Sequence, residues 1–185
     1  MPDTKELVPD DAPATTSKSA RPGAAVSAEV TTIAASPGEL FAFWREVGNL
    51  ATFMENIESI ERIDDKRSRW TVKAPAGREV SWESVITHEE PGRSISWQSA
   101  PGADVDHAGR VEFIDGGDRG TVVRAVIAYD PPAGTVGKLI AKLFHRAPRI
   151  QSRRDLRRLK QLVETGEIAT GARNARLRAE EENDR

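Results

Sequence analysis

Chemistry in this 185-residue chain has to come from few side chains: three histidines, one tyrosine, four tryptophans and no cysteine. His88, His107 and His145 stand far apart, with no H-E-x-x-H or comparable ligand spacing, so no metal centre is expected. The absence of Cys removes disulfides, thiolate nucleophiles and Cys-based zinc sites together. Neither a phosphate-cradling glycine loop nor a G-x-S-x-G turn occurs, and nothing calls for a cofactor. No residue is assigned a catalytic role on spacing. His107 and Arg110 fall near a strand start, where a polar rim could meet a ligand; a solvated rim explains them more simply. Tyr129 combines a core-like ring with a hydroxyl that needs a partner if buried.

The tryptophans carry more information. Trp70, Trp82 and Trp97 all fall in strand-like runs. Val80, Trp82, Ser84 and Ile86 share one face of their strand, Ile95 and Trp97 align on the next, and Val123, Ala125, Ile127 and Tyr129 on the last. Such residues form either a filled core or the wall of an apolar pocket, and the two overlap, since a cavity is an unfilled part of a core. Glu83 and Arg124 alternate with these positions and are expected on the outer face.

The elements that must position these residues are legible from period and punctuation. Val26, Ala28 and Val30 alternate as a half-buried strand. Ser36, Pro37 and Glu39 make an N-cap, a first-turn proline and a capping-box acid. Leu40, Phe41, Trp44 and Val47 supply that helix's buried face. Gly48 is expected to end it, and Asn49 to cap a second short helix. Six strands follow, roughly Ile57–Ile63, Arg69–Ala74, Glu79–His88, Ser94–Ser99, Ala108–Ile114 and Thr121–Tyr129. Short turn-forming links between them favour antiparallel pairing. Pro148 opens a long helix with Ile150, Leu156, Leu159 and Leu162 on one side and Gly166 as its stop.

Residues 1–23 are rich in Pro, Ala, Ser, Thr and Asp and read as a disordered tail; 168–185 read as a charged, frayed or disordered tail. One domain spans 24–167. Net charge is −2, with 38% hydrophobic and 30% charged residues, which gives no general pull toward nucleic acid. From Lys138 to Glu167 nine basic residues stand against three acidic ones, an excess of six, yet no aromatic is interleaved for base stacking. Nucleic acid is not expected as a partner. KLIAKLFHR at 138–146 is amphipathic and fits either a membrane surface or a lid over the sheet. With no signal-like or spanning apolar run, the chain is read as cytoplasmic. Oligomeric state is left open.

Six strings, SPGELFAFWREVGNLATFMENIESIE, RWTVKAPAGREVSWESVIT, ISWQSAPGA, GRVEFI, GTVVRAVIAYDPPAG and RDLRRLKQLVETGE, resemble the bacterial polyketide cyclase/dehydrase-like branch of the START or helix-grip (SRPBCC) superfamily. The resemblance covers nearly all of 24–170. It implies an α+β helix-grip fold: a seven-stranded antiparallel sheet around the helix Pro148–Thr165, with two short helices after the first strand. By analogy the hollow between sheet and helix holds a hydrophobic small molecule such as a lipid, quinone or polyketide-like compound. Phe53, Met54, Trp70, Trp82, Trp97, Phe113, Tyr129, Leu156 and Leu159 are then the expected lining. Fold does not settle function within this superfamily. A non-catalytic binder or carrier leads. A polyketide-directed cyclase or dehydratase using Tyr129, His107 or Arg110, and a membrane-peripheral or interaction module using the basic helix, are the alternatives.

Overall fold

The computed structural model describes residues 15–18, 25–74, 78–103, 105–130 and 148–168. Eight strands form one antiparallel sheet: β1 Thr15–Lys18, β2 Ala25–Ile33, β3 Ile57–Arg62, β4 Arg67–Ala74, β5 Arg78–Glu90, β6 Ser94–Ser99, β7 Asp106–Asp115 and β8 Thr121–Asp130. Their order is β1-β2-β8-β7-β6-β5-β4-β3. Strands β3 to β8 are therefore a meander of successive neighbours, and β2 returns beside β8 in a register that runs from Ala25↔Tyr129 to Ile33↔Thr121. The seven expected strands form the curled helix-grip sheet. The short β1 extends its edge, pairing Thr15↔Ala28 through Lys18↔Ala25 within the segment read as tail.

Alternation sorts the side chains as expected. Trp70, Val72, Trp82, Ile95, Trp97, Val111, Phe113, Val123 and Ala125 are buried on the concave side. Arg69 and Glu83 pair across the convex side at 3.0 Å, and Glu112 takes Arg110 at 2.9 Å and Arg124 at 3.5 Å. These exposed pairs contribute little stability.

Between β2 and β3 lie α1 (Pro37–Arg45), a single 3₁₀ turn (Val47–Asn49) and α2 (Leu50–Phe53). The capping box forms in full: the Glu39 N–H donates to Ser36 Oγ at 3.3 Å and the Ser36 N–H to Glu39 Oε2 at 2.9 Å. Two expectations fail here. Helix α1 ends at Arg45, before Gly48, and Asn49 does not cap α2. Its amide donates instead to the Phe43 carbonyl at 3.0 Å, satisfying one of the acceptors that the end of α1 leaves open.

Helix α3 (Pro148–Thr165) crosses the concave side against β2. Leu156 and Leu159 are buried beneath it. Lys160 donates to the Thr32 carbonyl at 2.5 Å, and Glu164 accepts from the Ala34 N–H at 2.8 Å, which ties the second half of α3 to the end of β2. Gly166 has φ 75° and its N–H meets the Leu162 carbonyl at 2.9 Å, a left-handed glycine ending the helix at the expected position. Segment 138–146 lies outside the described residues. Among the described residues no helix is long and apolar enough to cross a membrane.

The β7–β8 turn depends on Gly120. Its φ is 90°, and a Cβ there would sit 2.8 Å from Ala34 Cα and closer still to the Ile33 carbonyl oxygen. Gly117 also has positive φ, 65°, but faces open space. Gly120→Ala is expected to destabilise the protein by at least about 2 kcal/mol, against about 1 kcal/mol for Gly117→Ala, in urea melts. Equal losses would contradict the close approach.

Candidate functional site

All four tryptophans of the chain meet at one place. Trp70 and Trp82 are register partners on β4 and β5, and their rings stack with centroids 6.1 Å apart at 23°. Trp97 comes from β6, and Trp44 descends from α1 to lie 6.3 Å from it. Phe53, at the end of α2, packs 5.6 Å from Trp44. His107 on β7 sits among three of the indoles, with centroids 5.7 Å from Trp70, 5.8 Å from Trp82 and 6.3 Å from Trp97.

These rings leave a cavity of about 80 Å³ between the sheet and the first half of α3. Met54, Asn56 and Ile57 close one side; Gln151, Ser152, Asp155 and Leu156 of α3 form the roof, and Ala125 and Ile127 of β8 complete the floor. The volume exceeds what one water needs and falls short of the roughly 300–1,000 Å³ of pockets that hold drug-sized ligands.

Few polar atoms border this space. Trp70 Nε1 donates to Ser68 Oγ at 3.0 Å. Among the described residues, the indole nitrogens of Trp82 and Trp97, and Nδ1 of His107, have no hydrogen-bond partner and are packed out of contact with open space. Each such group is worth about 1–3 kcal/mol of desolvation. Burial pushes His107 down to about 4, only partly opposed by the neighbouring Asp106 carboxylate, so the imidazole is neutral across the physiological range. Burial pushes Asp155 the other way, up to about 6. The Glu55 N–H at 3.2 Å and the Gln151 amide at 3.0 Å both donate to its Oδ1 and, with Arg158, hold it from rising further. A neutral base and a carboxyl that titrates near neutrality thus line one apolar chamber.

Of the lining expected from the sequence, Phe53, Met54, Trp70, Trp82, Trp97 and Leu156 surround the cavity. Phe113 does not: it packs edge-on against Phe41 at 6.1 Å and Trp44 at 6.2 Å, in the layer between α1 and the sheet. Leu159 is wholly buried one turn beyond Leu156, where α3 lies close on β2 and leaves no space. The Tyr129 side chain lies outside the described residues, although its backbone pairs with His107. The polar rim divides. His107 points inward, whereas Arg110 lies on the convex face bonded to Glu112 and to Ser96 Oγ at 3.3 Å. Three residues apart on one strand, they cannot share a face.

Ala125 and Ile127, on the face expected to form core or pocket wall, line the cavity, and Trp44, Asn56, Ile57, Gln151, Ser152 and Asp155 line it without having been singled out for it. Spacing offered one signal for Asp155. It lies one residue before Leu156 and four before Leu159, beside the buried stripe of α3. Among the described residues, no three His, Asp or Glu side chains gather as a cation site.

A family model described as polyketide cyclase / dehydrase and lipid transport matches residues 33–157. The chain belongs to that family. The structure resembles that of DR_A0006 from Deinococcus radiodurans, with 39% identity over 77% of this chain and 99% of that one and a TM-score of 0.62. TTHA0849 from Thermus thermophilus is 22% identical over 76% and 97%, with a TM-score of 0.58. The ZhuI aromatase/cyclase from Streptomyces sp. R1128 is 15% identical over 79% and 99%, with a TM-score of 0.59, a likeness of fold alone. No curated protein resembles the chain closely enough to count as a match. The family's helix-grip architecture is a ligand-binding one, and in this member its hollow is the tryptophan-walled cavity.

The two perturbed groups give opposite pH dependences. Asp155 rises from 3.8 to about 6 on folding, so between those values the folded state keeps a proton the unfolded chain has released, and stability falls as pH rises. By pH 7.5 the buried carboxylate costs about 3 kcal/mol at most. His107 falls from 6.5 to about 4, so its contribution is complete above 6.5 and is lost as pH drops through that window. Asp155→Asn is expected to gain on the parent protein as pH climbs from 4 to 7.5 in urea titrations. A difference that does not change with pH would show that Asp155 has an ordinary carboxyl.

Proposed function

We propose that this chain binds and carries a hydrophobic small molecule, whether lipid, quinone or polyketide-like, in the cavity between the sheet and α3. One observation carries the reading: every tryptophan of the chain lines one apolar cavity, and beside it the Trp82, Trp97 and His107 nitrogens are packed without partners among the described residues. A solid core gains nothing from unmatched N–H groups. A ligand that spreads the rings as it enters would bring carbonyl or phenolic oxygens within reach of the indole N–H groups while its carbon skeleton packs on the indoles. The stacked Trp70–Trp82 pair and the neighbouring Trp97 and Trp44 rings make the wall aromatic, which favours a conjugated ring over a flexible acyl chain. At about 80 Å³ the cavity is smaller than the roughly 150 Å³ that accepts benzene in an engineered core, so uptake requires the wall to yield. The wall made by Phe53–Ile57 and the first half of α3 is joined by the Glu55–Asp155 hydrogen bond and is the seam available for opening.

A second reading is favoured by one specific feature, the placing of His107 and Asp155 in the same chamber with pKa values moved from 6.5 and 3.8 toward each other and past. A cyclase or dehydratase acting on a polyketide-like substrate would use them as base and acid. Neutral His107 would take the proton α to a carbonyl, and Asp155 in its protonated form, which predominates below about 6, would protonate the departing hydroxyl, releasing water as the carbon–carbon double bond forms.

Native mass spectrometry of freshly purified protein, followed by solvent extraction, tests the binding reading, together with quenching of tryptophan emission by 1,4-naphthoquinone. Saturable quenching is expected, weakened about tenfold in His107→Leu by the loss of one hydrogen bond. An adduct-free protein that neither naphthoquinone nor a fluorescent fatty acid titrates would sink the proposal. Conversion of a poly-β-ketone abolished by His107→Leu or Asp155→Asn, with its binding retained, would favour the enzyme.

A further inference from the structure

We propose that Gly109 is the specificity-determining residue of this cavity: by omitting a side chain it lets the Trp97 indole lie against β7, and so sets the size of ring system the cavity admits. The inference rests on the binding reading above and concerns the same site.

Trp97, Gly109 and Ile127 are register partners in one row across β6, β7 and β8. The first and last line the cavity; the middle position has no side chain. A Cβ at 109 would lie 2.9 Å from Trp97 Cη2, 2.5 Å from Cε2 and nearer still to Cζ2. The indole thus lies in the space that any other residue would fill. Backbone conformation does not explain the glycine, because Gly109 is not one of the positive-φ positions. Among the described glycines, it is the one whose missing Cβ would first meet a side chain; Gly116 and Gly120 meet backbone. A glycine inside a strand weakens it and marks the close approach of another group. Here that group is a cavity wall.

A side chain at 109 would drive the indole away from β7. Carbon atoms pack at about 3.5–4.0 Å, so a methyl at 109 moves the ring off the strand by at least about 1 Å. Trp44 and His107 lie beside it, each 6.3 Å away by centroid, and both line the cavity. The indole borders both this cavity of about 80 Å³ and a smaller space of about 20 Å³ beside Trp44, Trp70 and Ile95, so movement off the strand takes volume from spaces with little to give. Gly109 and Trp97 therefore act as a pair: the glycine provides depth, and the indole uses most of it.

The test reads binding of two probes of graded width, 1,4-naphthoquinone with two fused rings and anthraquinone-2-sulfonate with three, by quenching of the remaining tryptophans. Gly109→Ala is expected to lower naphthoquinone affinity at least about tenfold, and Trp97→Phe to raise anthraquinone affinity by a similar factor. The double variant should recover naphthoquinone binding to within about threefold of the parent, the signature of a coupled pair. A folded Gly109→Ala protein that binds both probes like the parent overturns the inference, as does a Trp97→Phe protein whose size preference has not moved. If Gly109→Ala fails to fold, the double variant decides: folding restored with Trp97 reduced supports the pair, and failure to fold regardless overturns it. A parent protein that binds neither probe removes the binding reading and this inference with it. A parent that binds with a size order insensitive to both residues removes the inference alone.

Discussion

The concave side of the eight-stranded sheet carries apolar residues on strand after strand, and one 18-residue helix, α3, has to keep water from them. A helix about 10 Å wide cannot cover so broad a face. Where α3 is fastened to β2 by Lys160 and Glu164, Leu159 closes the gap completely. Farther across the sheet, toward β4, β5 and β6, large rings and the α1–α2 pair must fill what the helix leaves. The four indoles, Phe53 and Phe113 do most of this, and the space they leave over is the cavity.

That solution has an electrostatic consequence. Groups placed beside the unfilled space lose water and regain few partners. Burial works against ionisation for both titratable groups, driving His107 toward the free base and Asp155 toward the acid. Near neutrality the imidazole complies and the carboxyl does not, so the folded protein keeps a partly buried negative charge steadied by the Glu55 N–H, Gln151 and Arg158. A core selected for stability alone would have no use for that charge or for unmatched indole nitrogens. Their presence is the common ground of the binding and acid–base readings.

Much of this architecture was legible because it depends on local chemistry. The period-two alternation grouped Trp82 with Val80, Ser84 and Ile86 and Trp97 with Ile95 on the faces that turn inward, and the turn residues delimited every strand of the meander within a few positions. Ser36, Pro37 and Glu39 announced α1, and Gly166 announced the end of α3. Strand parity also separated His107 from Arg110, although proximity in sequence suggested a shared rim. The misses share a cause. Asn49 looked like a cap, but it serves a carbonyl six residues back. Asp155 looked like one acid among arginines until the fold set it against the α2–β3 link. Trp44 looked like the stripe of an ordinary amphipathic helix.

Local pattern was enough to tell which residues turn inward, where strands and helices begin and end, and which family the chain resembles, because each follows from neighbours a few positions away. It could not tell which inward residues touch one another; that required the folded molecule. Whether Phe113 meets Trp44 or a ligand, whether Trp97 has room to lie on β7, and whether Asp155 is solvated or enclosed are questions of distance between elements remote in sequence. Those distances are set by how far a single helix reaches across a curled sheet, a quantity that no run of adjacent residues encodes.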